Sequence, residues 1–577
     1  MRGTRQTLCL LLLGAMSLRV ASPLAVIDCE PPPNAVGISW SPTILIRFTE
    51  SLDPASVTES AFRVRGTVSG PIPGSRRLSA DGRRMTFDPS GRFAAGELVE
   101  VTATRGLRSV GGDSLVVPYG WHFRTWAQPA TDGFETTVIL DPGYGAIAVA
   151  AGHLDQDGRL DLACARLDGH LAVFISTSES LDYVSYDFDI GTGLSSVVVR
   201  DFDNDGLMDV AAADQYANAI RVGRNLGDGT EFEWAATATC DHPQRLAAGD
   251  LDGDGNLDLA FACQWSDDMN VLLGDGAGGF VAPGTYPLPE YPSDAGMRDL
   301  DLDGDLDLAM LTRYYDPQLV TLSNAGTGPP PGEMFAPACS VAVAGLQGLL
   351  LADCNGDRLP DLVVATEDSS HVAVCMMQPG GCQPEPPIAY PTGGGPLDRV
   401  RGVAPLDFDG DGDLDLAVTN SDANVWVLME NDGQGAFAPR AEHPTGDRPI
   451  LPCTADLDGD GLVDVAIPSR IVGELHLYSA TRPAAGLADE DPVGRPPVWL
   501  AAEPNPFRDR VELRIEAGEG RLEVLDVSGR LIRGFDLAPR VEWDGMGADG
   551  RLAPTGTYFV RVRHEGRVAV LRLLRVR

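Results

Sequence analysis

The sequence predicts an all-β chain: a seven-bladed β-propeller flanked by two Ig-like β-sandwich domains. Two observations lead there. An acidic nine-residue motif returns seven times, and every copy sits between short apolar runs punctuated by Gly-rich turns. The fullest copy is Asp250-Leu251-Asp252-Gly253-Asp254-Gly255-Asn256-Leu257-Asp258. The others begin at His153, Asp201, Asp299, Asp353, Asp407 and Asp456, with successive starts 48, 49, 49, 54, 54 and 49 residues apart. A near-constant period of this length marks a repeat architecture in which each unit buries its faces against its neighbours.

Each unit supplies the strands of a blade. An apolar run precedes the motif, as in Ser196-Val197-Val198-Val199. A second follows it, as in Leu257 to Ala262, and a third comes at Asn270-Val271-Leu272-Leu273. A Gly-rich turn then leads to a Phe, as in Gly274-Asp275-Gly276 before Phe280 and Asn431-Asp432-Gly433 before Phe437. Four short strands in about 45–50 residues is the signature of a propeller blade. After the last motif only Val463 to Ile467 and Glu474 to Tyr478 read as strands. The run Phe134 to Leu140, before the first motif, is therefore expected to complete the seventh blade and close the ring at residues 134–480.

The motif has the chemistry of a hard-cation loop. Calcium takes about six to eight oxygen ligands, and a tight loop with carboxylates at positions one, three, five and nine turns alternate side chains inward. Gly at position six permits a positive φ, and the position-seven carbonyl adds a further oxygen. The expected ligands are Asp201, Asp203, Asp205 and Asp209; Asp250, Asp252, Asp254 and Asp258; Asp407, Asp409, Asp411 and Asp415; and Asp456, Asp458, Asp460 and Asp464. The Asp299 copy keeps Asp299, Asp301, Asp303 and Asp307 but has Leu302 where other copies have Gly or Asn. Two copies are degraded. One begins at His153 and retains Asp155, Asp157 and Asp161. The other has Asp353, Asn355, Asp357 and Asp361, with Arg358 in place of the Gly. These two are expected to bind most weakly or not at all. The loops hold 28 of the 83 acidic residues, so several structural calcium ions would relieve much local repulsion.

These residues resemble the FG-GAP or VCBS repeats of integrin-α-type propellers. The resemblance implies that the loops join the first two strands of each blade and bind calcium. It is specific for fold and metal and says little about biological role.

The flanks differ in style. Alternating runs at Thr43 to Phe48, Arg84 to Phe87 and Leu98 to Thr104, closed by Trp121-His122-Phe123, predict a β-sandwich over 27–127. Ile46 to Asp53 and Leu78 to Gly82 resemble the Ig-like domain of bacterial surface-layer proteins. Residues 481–498, rich in Pro, Ala, Gly and acid, read as a linker. From 499 to 577 the chain is again β. Pro504-Asn505-Pro506-Phe507, Val524 to Arg530, Trp543-Asp544-Gly545 and Gly556 to Val560 resemble the Ig-like fold of the flagellar hook-capping protein and the sorting domains of type IX secretion. The second resemblance implies a tail that directs export and is removed.

The N-terminus reads as a signal peptide over 1–25. Arg2 and Arg5 precede the apolar stretch Leu8 to Met16, and cleavage is expected after Ala21 or Ala25. No apolar run is long enough to span a membrane as a helix. The chain is expected to be secreted or held at the cell surface. Of the ten Cys, Cys9 lies in the signal. Cys375 and Cys382, around Pro379-Gly380-Gly381, suit a hairpin disulfide, whereas Cys164 and Cys263 read as core residues.

Composition narrows the function. The formal net charge is −39, which disfavours nucleic acid and anionic lipid. The chain contains no Lys, so all 44 basic residues are Arg and no chemistry that needs a Lys is available. The eight His, at 122, 153, 170, 242, 371, 443, 476 and 564, form no metalloprotease motif, and no nucleophile elbow or phosphate loop is present. The expectation is a non-enzymatic binding or adhesion module for an extracellular protein or glycan. The aromatic residues Trp265, Tyr291, Tyr314 and Tyr315 in inter-strand loops are candidate contacts. The second reading is a carbohydrate-active enzyme, a polysaccharide lyase or hydrolase, acting at the propeller face. Nothing in the sequence sets the oligomeric state; a monomer is compatible with it.

Overall fold

The computed structural model describes residues 23–481 and 499–575 apart from short loop segments, among them 314–316, 327–333 and 396–398. Residues 1–22 of the signal segment, the linker from 482 to 498, Tyr314, Tyr315, Cys382 and the Pro504 to Phe507 motif lie outside the described residues.

The repeats form seven four-stranded antiparallel sheets, each a simple meander. In the second blade the order is Leu194–Arg200, Asp209–Asp214, Ala219–Asn225 and Phe232–Ala238. The acidic loop joins the first two strands, and its last Asp opens the second. The seventh blade consists of Cys453–Ala455, Asp464–Ser469 and Glu474–Thr481, with Gly133–Leu140 paired antiparallel on its outer edge. The expected ring closure is thus formed by 133–140. Phe134 reaches the core of this blade beside Phe408 and Trp426, with centroids at 5.5 and 4.9 Å.

Burial explains why the motif predicts the blade so well. Every second strand is wholly buried or nearly so, as in Asp258–Cys263 and Asp415–Asn420, so those runs need no alternation. The outermost strands, such as Phe437–Pro444, are mostly exposed, with half-buried residues at every second position in their later part.

Two sheets form the N-terminal sandwich. One holds Val26–Glu30, Ile44–Phe48, Arg84–Pro89 and Gly74–Leu78; the other pairs Ala35–Ile38 in parallel with Tyr119–Thr125, which continues through Leu98–Ala103 and Phe62–Gly66. Phe48, Phe62, Phe87, Trp121 and Phe123 are fully buried between them. The sandwich forms one compact unit with the propeller.

The C-terminal region forms its own unit, a three-stranded sheet and a four-stranded sheet within Trp499–Arg575. Its core contains Val511, Leu513, Trp543, Tyr558 and Val560.

The cysteines depart from expectation in two places, the first being Cys375, which is a buried free thiol and not the hairpin partner of Cys382. The second is Cys263, a buried disulfide partner of Cys240, with Cα atoms 5.8 Å apart. Its apolar strand setting conceals the pairing, because Cys240 lies 23 residues upstream in the crossover between blades two and three. Cys164 and Cys375 are buried thiols, and burial pushes each up to about 12.

Candidate metal centres

The acidic loops share one backbone design. Position six has a positive φ in all seven, with values from 76° to 97°. Position four is also left-handed, including the non-Gly residues Gln156, Asn204 and Leu302. Within each loop the position-five side chain accepts the N–H of position seven, as Asp205 does from Leu207 at 2.8 Å. Position three usually accepts from position five, as Asp252 does from Asp254 at 3.1 Å.

Position nine behaves differently from the other three. Asp161, Asp209, Asp258, Asp307, Asp361, Asp415 and Asp464 are all buried. One oxygen of each accepts the N–H of position two at 2.7–2.9 Å. The other accepts an N–H at the end of the third strand at 2.8–2.9 Å. This carboxylate holds the loop to the blade in every copy, whatever else it binds. Burial pushes Asp209, Asp307 and Asp415 up to about 7 even against these hydrogen bonds.

The loops separate at positions one and three. Buried carboxylate oxygens with no hydrogen-bond partner occur at Asp201 Oδ1, Asp250 Oδ1, both oxygens of Asp407, and Asp456 Oδ1. The Asp299 loop has them at Asp301, position three, and at Asp305, position seven, where the Asp407 loop also has Asp413 Oδ1. The carboxylates of the His153 and Asp353 loops are not among them. In the first of these, Arg159 pairs with Asp157, and its carbonyl lies 2.8 Å from the His153 ring. In the second, Asp353 accepts from the backbone of Gly356 and Arg358, both at 2.8 Å.

A buried anionic oxygen without a donor is costly unless a cation meets it. Ligand oxygens of Asp201, Asp203 and Asp209 lie within 4.8 Å of one another, as do those of Asp250, Asp252 and Asp254, of Asp299, Asp301 and Asp303, and of Asp407, Asp409 and Asp411. That spacing suits oxygens around one ion with bonds of about 2.3–2.6 Å. The donor sets therefore fit a hard divalent cation.

Arg358 bears a strained φ of 76° at an exposed position where five of the other loops have Gly at 86–92° and the Asp299 loop has Gly304 at 97°. Arg358→Gly is expected to stabilise the chain by about 1 kcal/mol, read as a raised calorimetric midpoint.

The sequence does not disclose what covers these loops. The N-terminal sandwich lies on them. The Arg65 guanidinium donates to Asn204 Oδ1 at 2.6 Å and to the Gly255 carbonyl at 2.7 Å, tying two loops together, and Arg63 donates to the same Asn204. Gly120 N–H donates to the Gly304 carbonyl at 2.6 Å, and Gln128 N–H to that of Gly461 at 2.8 Å. Asn34 reaches the Arg358 carbonyl at 2.8 Å, and Ala130 N–H that of Phe408 at 2.7 Å. Strand Tyr119–Thr125 brings buried His122 within electrostatic reach of Arg200 and Arg298, which end the innermost strands of blades two and four. Burial, then these two cations, hold the His122 ring well below its ordinary pKa. This end of the central channel is covered.

Three side chains that sequence reasoning passed over link neighbouring loops. Asn225, Asn324 and Asn431 each donate to a carbonyl in the preceding blade's loop (Leu154, Leu251 and Cys354, at 2.6, 2.8 and 2.9 Å) and to one in their own. The signal was the Asn that opens the Gly-rich turn after the third strand.

At the far end of the ring the channel is lined by ion pairs. Asp294 lies 3.4 Å from Arg245, and Glu367 contacts Arg313, Arg401 (2.9 Å) and Gln347.

Fold and loops together define a repeat β-propeller with acidic loops, capped by a β-sandwich. The comparisons with known proteins agree. The model for the FG-GAP-like repeat matches residues 153–212, 201–261, 250–310, 353–418 and 407–467, and that for a bacterial Ig-like domain matches 20–125. The propeller is built of FG-GAP-like repeats and its cap is a bacterial Ig-like domain. No curated protein matches the chain. Among solved structures, BBS1N in complex with ARL6DN is 12% identical, with 61% of this chain and 98% of that chain covered and a TM-score of 0.43. A catalytically inactive virginiamycin B lyase from Staphylococcus aureus is 13% identical, covering 60% and 99%, with a TM-score of 0.40. Saccharomyces cerevisiae Sqt1 is 11% identical, covering 66% and 96%, at 0.39.

Proposed function

We propose that the chain is an exported, calcium-stabilised binding module whose recognition surface is the propeller face opposite the acidic loops. The partnerless buried oxygens of Asp201, Asp250, Asp407 and Asp456 carry the metal reading. Positions one, three, five and nine, with the position-seven carbonyl, would hold each ion. Bound calcium supplies positive charge to these clusters and has no chemical step to perform. The metal-bearing face is occupied by the Ig-like cap, so a ligand has the opposite face. The test is an array of extracellular glycans and proteins probed with the full chain. Dose-dependent capture supports the module, and no capture on any surface overturns it.

Binding is favoured over catalysis by the far end of the ring, where the buried Asp294 lies 3.4 Å from Arg245 and Glu367 pairs with Arg313 and Arg401. Release of product from a polysaccharide would contradict this.

Export places the cleavage site. Leu24 is fully buried in the sandwich core, and Ala25 N–H donates to Thr49 Oγ1 at 2.9 Å. Cleavage after Ala25 would remove Leu24 from a packed core, whereas cleavage after Ala21 preserves it. N-terminal sequencing of secreted protein is expected to begin at Ser22; a start at Val26 would refute this.

A further inference from the structure

On the face opposite the acidic loops, aromatic rings recur with the repeat. Tyr216 and Trp265 occupy the loops between the second and third strands of blades two and three, 49 residues apart. His242 and Tyr291 immediately precede the innermost strands of blades three and four, again 49 apart. The His242 ring stacks flat on Trp265, with centroids 4.0 Å apart and planes within 5°, and Tyr216 lies 5.5 Å from His242. Tyr216 and Trp265 are each 59% exposed, so Trp265 offers solvent the face turned away from His242.

The backbone shows that these rings are not there for local convenience. His242 and Tyr291 have φ of 62° and 56°. At the same place before the innermost strand, blades one and five have Gly145 and Gly345, at 85° and 69°. Aromatic side chains in the left-handed region cost free energy that Gly avoids, and such residues persist where the surroundings over-determine them. Here the surroundings do so. His242 N–H donates to Asn218 Oδ1 at 3.0 Å, its carbonyl accepts from Gln264 N–H at 3.1 Å, and the Cys240–Cys263 disulfide closes the two loops beneath Trp265. Tyr291 N–H donates to Asp267 Oδ1 at 2.9 Å.

We propose that this arc is a binding site for an uncharged polysaccharide, with sugar rings stacking on Trp265 and flanking aromatic rings. The inference rests on the reading of the chain as an extracellular binding module and names its ligand class. Three features select that class. The surface beside Trp265 is a shallow groove of about 590 Å³ shared with Gln264, Glu290 and Tyr291, flat enough for a pyranose ring and edged by amide and carboxylate groups that accept sugar hydroxyls. Its carboxylates, on a chain of net charge −39, repel uronic acids and sulfated glycans. Aromatic positions shared by neighbouring blades suit a polymer with a repeating unit better than one folded protein epitope. Burial lowers the pKa of the His242 ring, which favours an uncharged stack.

The test is affinity gel electrophoresis of the full chain, with calcium, through gels containing galactomannan, xyloglucan, mixed-linkage β-glucan or polygalacturonate. At least one of the three neutral polymers should retard the wild type, and polygalacturonate should not. Trp265→Ala should weaken that retardation about tenfold or more, Tyr216→Ala several-fold, and Trp265→Phe little. Because both residues are largely exposed, the thermal midpoints should match wild type. Absence of retardation by every neutral polymer overturns the proposal, as does retardation that survives both alanine variants. Capture of a protein ligand that depends on Trp265 would overturn the ligand class while leaving the module reading intact. A wild type that binds nothing on glycan and protein arrays would sink the module reading itself.

Discussion

Stripping divalent metal from the purified chain is expected to lower its thermal midpoint by on the order of 10 °C, and added calcium to restore it. Each occupied site stabilises the folded state by about 3 kcal/mol when free ion exceeds its dissociation constant a hundredfold, and several loops act together. The loss should also depend on pH in a fixed direction. In the metal-free chain burial, and then neighbouring carboxylates, push Asp250, Asp407 and Asp456 up to about 7 and Asp299 to about 8. A carboxyl whose folded pKa lies above its unfolded value near 3.8 binds its proton more tightly when folded. Metal-free stability is therefore greatest in mild acid and falls as pH rises through 7 to 8. Calcium should abolish or reverse that slope, because it takes the place of the proton. Differential scanning calorimetry at pH 5 and pH 8, with chelator and with calcium, reads both effects. A midpoint indifferent to chelation at pH 8 would contradict the account.

Within one loop, two carboxylates should answer chelation in opposite ways. Asp415 is buried, and its two oxygens accept the N–H groups of Phe408 and Asn431 at 2.9 and 2.8 Å. Asp415→Ala strands two buried donors and is expected to cost roughly 3 kcal/mol or more, with metal or without. Asp407, at position one of the same loop, has both oxygens buried and no partner. Asp407→Ala should destabilise the calcium-loaded chain but be neutral or stabilising in chelator, since it then removes only a buried charge. Urea denaturation of the two variants, with and without chelator, measures the contrast. Equal responses would mean that position one has no metal to hold.

What was legible in the sequence follows from how local each feature is. The blades were legible because a fixed period brings the same residues to the same place in every unit, and the orphan run 134–140 found its blade because the seventh motif lacked an outer strand. The loop residues were legible because position and side chain are set within nine residues. The double duty of position nine was not, since its second partner lies at the far end of the third strand, as Asn225 does for Asp209. The docking of the sandwich was invisible for the same reason: Arg65 meets Asn204 across 139 residues and Asn34 meets Arg358 across 324. The Cys240–Cys263 bridge lay beyond spacing arguments because connectivity depends on which crossover faces which loop. The left-handed His242 and Tyr291 were hidden because their residue types argue against the backbone they adopt.

Whether the partnerless carboxylates of the acidic loops hold metal is read by elemental analysis of the secreted chain after exhaustive dialysis against metal-free buffer. The account predicts at least four tightly held calcium ions per chain, one for each of the loops starting at Asp201, Asp250, Asp407 and Asp456. Fewer than one per chain, in protein that remains folded with its sandwich docked, would contradict it.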